Sequence, residues 1–255
     1  MTYHQAKAWR LAGETLQPGK PEDFWPFLTS EKAVISLVGG GGKTTLLYYL
    51  AECFARRGRR TVVMTTTKIG CPETWCADMP VCRAQWREGR YAVCGQMEGG
   101  KFRAPGEGFL NALLAEADAV LIEADGARRL PCKAPAEHEP VILPQTDTVI
   151  AVMGLDALEG TVREKCLRTD KVQAILGCEE DHPLTPEDLA ALLLSPQGSR
   201  KHVEGRDFYA VLNKCDTESR REAGRQVLKR LEERGFRQAI LTTGMMPSEA
   251  LEREI

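Results

Sequence analysis

Between an apolar run and an amphipathic stretch the chain carries Gly39, Gly40, Gly41, Gly42, Lys43, Thr44 and Thr45 in succession. Residue types in this order can hold a polyphosphate. Glycines let backbone N–H groups approach anionic oxygens without side-chain obstruction, and a helix that follows adds the positive end of its dipole. In such a loop Lys43 reaches the β- and γ-phosphates and the Thr44 hydroxyl ligates Mg2+. The spacing departs from the usual G-x-x-x-x-G-K-[ST] pattern in one place. That pattern puts glycine six residues before the lysine, where this chain has Leu37. A variant loop is therefore expected.

Two later segments carry the other groups a nucleotide enzyme needs. Glu123-Ala124-Asp125-Gly126 closes an apolar run over 119–122. An acid there can hold Mg2+, with a glycine three residues on to sense the γ-phosphate. Glu123 has that spacing to Gly126, and Asp125 is the competing ligand. Asn213-Lys214-Cys215-Asp216 has the N-K-x-D form. The Asp216 carboxylate would accept hydrogen bonds from the guanine ring N–H and exocyclic amine, a donor pair that adenine lacks. If the motif acts this way the nucleotide is GTP rather than ATP. The plainer alternative is a strand-to-helix turn with Asp216 near a cap. Lys68 follows a strand at the sheet edge where ligands gather, and is a contact to phosphate or substrate, or a surface lysine. His138, between Glu137 and Glu139, is a general base, a metal ligand, a switch element, or a loop histidine paired with a neighbouring acid. Cys71, Cys76 and Cys82 are spaced too irregularly for a standard zinc site.

The elements that must position these groups read from hydrophobic periodicity. Residues 34–38 form a short apolar strand that ends in the glycines. Leu46, Leu47, Leu50, Cys53 and Phe54 recur at helical spacing, and Gly58 ends that helix. Residues 61–65 give a second buried strand, so strand, glycine turn, helix and strand make a βαβ unit with a parallel sheet. Further strands are expected over 119–122, 148–153, 208–212 and 239–242, with helices over 109–117, 170–176, 186–194 and 219–234. Thr185-Pro186-Glu187-Asp188 is a helix start signal. Residues 91–96 and 101–103 flank Glu98-Gly99-Gly100 as a β-hairpin within an insertion at about 70–105. Residues 1–30 read as an N-terminal arm or short helix, with Phe24, Trp25 and Phe27 packing it on the body formed by 31–255.

Bulk properties narrow the class. The chain has 255 residues, with 34 basic and 36 acidic side chains and a net charge of −2. That balance gives no general attraction to nucleic acid or anionic membrane. No apolar run reaches the ~20 residues of a membrane span. The N-terminus lacks the apolar core of a secretion signal, and nine cysteines then read as reduced thiols in a cytoplasmic protein. The expected fold is α/β: a three-layer P-loop NTPase-like domain with a mostly parallel sheet and a small β-hairpin insertion. A homodimer is compatible with this reading.

Several segments in order resemble the YqeC family, described as selenium-dependent hydroxylase accessory or selenium-cofactor biosynthesis proteins. They are the run from Val38 to Thr45, Thr65-Thr66-Thr67-Lys68, the Glu123 to Gly126 segment, and Lys133-Ala134-Pro135-Ala136-Glu137-His138-Glu139-Pro140. Gly154-Leu155-Asp156-Ala157 and the Asn213 to Asp216 segment complete the set, which spans about residues 33–244. The resemblance makes Lys133 a further candidate site residue, and it covers the variant loop with Leu37. It implies an NTP-dependent role in maturing a selenium-carrying molybdenum hydroxylase. The partners would be that hydroxylase or its cofactor-assembly proteins. Two rivals stand beside hydrolysis: a small-molecule kinase on the same fold, and a binding module that uses nucleotide without turning it over.

Overall fold

Aliphatic runs without polar alternation suit strands covered on both faces. Five strands of the main sheet of the computed structural model are buried at every position. The structure describes residues 6–69 and 72–244. The described chain begins with β1 (Ala8–Ala12) and β2 (Thr15–Gly19), then β3 (Ala33–Gly39), α1 (Lys43–Ala55) and β4 (Thr61–Thr65). Next come α2 (Met79–Arg87), β5 (Ala92–Val93), β6 (Gln96–Glu98), β7 (Lys101–Arg103), α3 (Glu107–Glu116) and β8 (Ala119–Glu123). They are followed by β9 (Cys132–Lys133), β10 (Thr148–Gly154), α4 (Val162–Lys165), β11 (Cys166–Leu167) and α5 (Thr169–Leu176). The described chain closes with α6 (Pro186–Leu194), β12 (Asp207–Asn213), α7 (Glu218–Glu233) and β13 (Ala239–Thr242).

One nine-stranded sheet runs in the order β2-β1-β13-β12-β10-β3-β8-β4-β5. Every pair from β13 to β5 is parallel. Adjacent residues of β10 face opposite sides. Ile150 and Val152 pack with Leu46, Leu50 and Phe54 of α1, together with Trp25 and Phe27. Val149, Ala151 and Met153 pack with residues of α5, α6 and α7. Toward the other edge, Val34, Val62 and Val120 meet Cys82 of α2 and Leu113 of α3. Helices thus cover both faces, giving the three layers. Leu50 and Phe54 are fully buried, each contributing ~1.5–3 kcal/mol of transfer free energy.

The N-terminal segment differs from the arm or short helix expected. β1 and β2 form a hairpin, and β1 pairs antiparallel with β13, extending the sheet. Pro18 sits on the outermost strand, where no ladder hydrogen bond is required of it. In the insertion, β6 and β7 form the expected hairpin. β5 instead joins the main sheet beside β4, and α2 was not anticipated. Its start signals were present: Asp78 caps it by accepting from the Val81 N–H, with a proline in the first turn.

Candidate functional site

From β3 the chain crosses to β4 and β8 on one side, and later to β10, β12 and β13 on the other. The carboxyl end of β3 is thus the switch point where open α/β sheets gather ligands. The glycines lie there. Leu37 is fully buried in β3, in register between Glu123 and Ile150, so the missing glycine of the usual pattern falls inside the sheet. The loop starts at Gly39 (φ 97°) and passes Gly41 (φ 72°), where a Cβ would lie 2.1 Å from the Gly154 nitrogen. Only glycine satisfies both that backbone and that contact.

Three of the glycine amides are engaged inside the protein. The Gly39 N–H donates to both oxygens of Asp125, at 3.1 and 3.0 Å. Gly40 donates to the Val152 carbonyl at 2.8 Å and Gly41 to the Leu130 carbonyl at 3.1 Å. The first α-type bond of α1 runs from the Leu46 N–H to the Gly42 carbonyl. The amides of Lys43, Thr44 and Thr45 precede it and have no acceptor within the helix. The open donors are therefore displaced toward the start of α1, while the glycines anchor the loop.

Below the loop lies a chain of charges, buried but for the last. Lys43, 4% exposed, pairs with Asp125 at 3.1 Å and donates to the Gly39 carbonyl. Asp125 also pairs with Lys133 at 2.9 Å. Lys133 donates to the Gly126 carbonyl and to Glu139, both at 2.7 Å. Glu139 in turn meets Arg168 at 3.0 Å. The relay Lys43–Asp125–Lys133–Glu139–Arg168 alternates in sign throughout, which makes burial of so many charges tolerable.

Glu123 takes a different part. Its carboxylate, at the end of β8, accepts from the Thr44 hydroxyl at 2.9 Å. Burial holds the Glu123 carboxyl above the usual glutamate range, against the opposing pull of Lys43 and the Thr44 hydrogen bond. One hydroxyl and one carboxylate side by side suit Mg2+, which binds through few protein oxygens and keeps waters and phosphates as its other ligands. Asp125, with both oxygens engaged by Gly39 and two lysines, suits that role less. Among the described residues, no group of three or more His, Cys, Asp or Glu is arranged to hold a metal.

The segment after β12 divides its labour. Asn213 donates to the Gly41 carbonyl at 2.9 Å and accepts from Thr242 at 3.0 Å, so it braces the loop. Lys214, with φ 65°, reaches Asp156 at 2.6 Å. Asp216 is exposed, accepts from the Gly244 N–H at 2.7 Å, and lies 4.0 Å from Arg220. The loop, α1 start, Glu123, Asp125, Lys133 and Asn213 thus converge, with Asp216 at the same carboxyl end of the sheet.

A family model described as "YqeC protein" matches residues 35–170. The chain belongs to the YqeC family. An Escherichia coli (strain K12) relative, "Uncharacterized protein YqeC", is 37% identical over 190 residues, which cover 67% of this chain and 71% of that one. The span matched by the YqeC model holds the glycine loop, Glu123 and all five members of the charge relay. It ends before Asn213 and Asp216.

Lys68 and His138 are not part of that cluster. Both are exposed and line a separate cavity of about 630 Å³ bounded by Gly126 and Glu139. Sequence reasoning overlooked Glu139 and Arg168. The signal for Glu139 lay in a charged residue enclosed by prolines, whereas Arg168 offered none. Of the cysteines singled out, Cys71 lies outside the described residues. Cys76 and Cys82 are buried, and Cys82 stands with its sulfur 3.4 Å from that of Cys94.

The relay gives the YqeC-family fold a pH dependence of known sign. Burial pushes the Glu139 carboxyl up, but the Lys133 hydrogen bond and the charges of Lys133 and Arg168 outweigh it and hold it below the ordinary 4.5. A carboxyl depressed on folding stabilises above its unfolded pKa, and the contribution is lost as pH falls through the folded value. Thermal unfolding followed between pH 7 and 3 should therefore show a steeper loss below about pH 4.5 for the wild type than for Glu139→Gln. Parallel curves for the two proteins would remove Glu139 from the account.

Proposed function

We propose that this chain binds and hydrolyses a nucleoside triphosphate with Mg2+, and that the nucleotide is GTP. The observation that carries the reading is the Thr44 hydroxyl set 2.9 Å from the Glu123 carboxylate at the mouth of α1. Beside it are a buried lysine and the open amides of the first helical turn. Phosphoryl transfer asks for positioning and charge stabilisation rather than covalent catalysis. The amides of Lys43, Thr44 and Thr45 bind phosphate oxygens along the helix dipole. Thr44 and Glu123 would hold Mg2+, which supplies charge neutralisation at the β- and γ-oxygens.

Lys43 must turn from Asp125 to meet a phosphate. Lys133 makes that turn possible, because it remains paired with Asp125 when Lys43 leaves. Without it, the move would strand a buried carboxylate. Nucleotide binding and rearrangement of the relay are linked for this reason. In the YqeC family setting, turnover would serve maturation of a selenium-dependent molybdenum hydroxylase. A second reading, transfer to a small acceptor, draws support from the cavity next to Gly126. Product analysis separates the two: free phosphate, or a phosphorylated acceptor.

Base selection rests on Asp216, whose carboxylate is exposed at the carboxyl end of the sheet. Titration with GTP and ATP should favour GTP. Asp216→Ala should weaken GTP binding about 10- to 100-fold, as expected for losing charged hydrogen bonds of ~1.5–3 kcal/mol. ATP binding should hardly change. Equal affinity for both nucleotides in the wild type would discard the guanine reading, leaving the phosphate site to be judged by turnover.

A further inference from the structure

A cavity lies between the end of β4, the β6–β7 hairpin and the Lys133 to Pro140 loop. Its volume of about 630 Å³ lies within the ~300–1,000 Å³ of small-molecule sites. Its lining is unbalanced in hydrogen-bonding character. Lys68 has no ion pair and His138 no hydrogen bond among the described residues. Arg103 pairs with Glu98 at 2.6 Å through one terminal nitrogen, while its Nε is buried without an acceptor. The other acid of the wall, Glu139, is already engaged by Lys133 and Arg168. Of these nitrogens the Arg103 Nε is buried and lacks the partner a buried donor requires, while Lys68 and His138 are exposed side chains that neither acid of the wall engages. Pro105 and Val141 add apolar wall.

We infer that this cavity binds a small organic molecule through a terminal oxyanion, a phosphate monoester or a carboxylate, held by Lys68 and Arg103 with His138 beside them. The ligand supplies an anionic partner for Lys68 and Arg103, and its body covers the apolar side. The site adjoins the phosphate loop through covalent and hydrogen-bonded neighbours. Thr66, on the cavity wall, donates its N–H to the Glu123 carbonyl at 3.1 Å, and the carboxylate of that glutamate holds Thr44. Gly126 and Glu139, also on the wall, are both gripped by Lys133. Taking the ligand as the second substrate or cargo of nucleotide turnover rests on the function proposed above. Binding of the oxyanion itself does not.

Pyridoxal 5′-phosphate, a phosphate monoester with an aldehyde, tests the site at residue resolution. The aldehyde condenses with a lysine amine with loss of water, borohydride fixes the adduct, and peptide mass spectrometry locates it. On the full-length protein Lys68 should label fastest among the lysines. Labelling should slow at least about fivefold in Arg103→Ala. His138→Ala, at an exposed loop position, should slow it as well. Protection by inorganic phosphate alone assigns a phosphate ester, and protection by citrate alone assigns a carboxylate. Protection by both supports a general oxyanion site. Labelling spread evenly over surface lysines, or a Lys68 rate indifferent to both substitutions, overturns the inference. GTP turnover measured on the same proteins reports on the phosphate loop separately, so a failure at either site is recognisable.

Discussion

Replacing Lys43 by alanine should lower GTP turnover by about 100- to 1,000-fold, the loss typical when one preorganised donor is taken from developing negative charge. The expectation follows from where Lys43 sits. It is the first residue of α1, buried at 4% exposure, and its only anionic partner in the relay is Asp125. Alanine removes the cation without removing the loop, because the glycine amides are held by Asp125, Val152 and Leu130. Asp125 keeps Lys133 as its counter-ion, so the variant should fold. The measurement is kcat for phosphate release from GTP, with circular dichroism to verify the fold. A folded variant turning over within about threefold of the wild type would mean that Lys43 stabilises no transition state.

Substituting Lys133 by methionine should destabilise the protein more than any other single change in the relay. Lys133 has a side chain 1% exposed and stands between two carboxylates, Asp125 at 2.9 Å and Glu139 at 2.7 Å. Methionine fills the space and leaves one carboxylate with Lys43 and the other with Arg168. Removing one partner of a buried ionic group typically costs ~3–5 kcal/mol. In a chain of this size that lowers the thermal midpoint by roughly 6–20 °C. Adding Glu139→Gln should recover part of the loss, since neighbours in one network are not additive. A midpoint for Lys133→Met equal to that of the wild type would show the relay to be dispensable for stability.

Much of this arrangement was legible in the residues. β3, β4, β8, β10 and β13 are buried on both faces, so their aliphatic runs needed no periodicity to be read. The helices α5, α6 and α7 fell within a residue or so of expectation, because Thr185 and the charged face of α7 mark them clearly. The β1–β2 hairpin was not legible. Its alternation is weak, and its pairing with β13 closes over more than 200 residues of chain. The site divides in the same way. The glycine loop and Glu123 sit at strand ends, which local sequence marks. The counter-ions of Asp125, Lys43 at the start of α1 and Lys133 in β9, reach it only through tertiary closure, and nothing near Lys133 names its partners. The amides of Gly39, Gly40 and Gly41 illustrate the point. Gly39 and Gly41 are needed for packing against β10, a neighbour more than 100 residues away, and Gly40 for the close approach of the Leu130 carbonyl.

The way the sheet terminates bears on how the chain can associate. At one border stands β2, carrying the exposed Pro18, which offers no donor to an incoming strand. At the opposite border β5 is two residues long, too short to template a ladder. Neither margin invites strand-to-strand growth. Self-assembly by continuing the sheet from molecule to molecule is thereby discouraged, and a pair of subunits would have to meet through helices or loops.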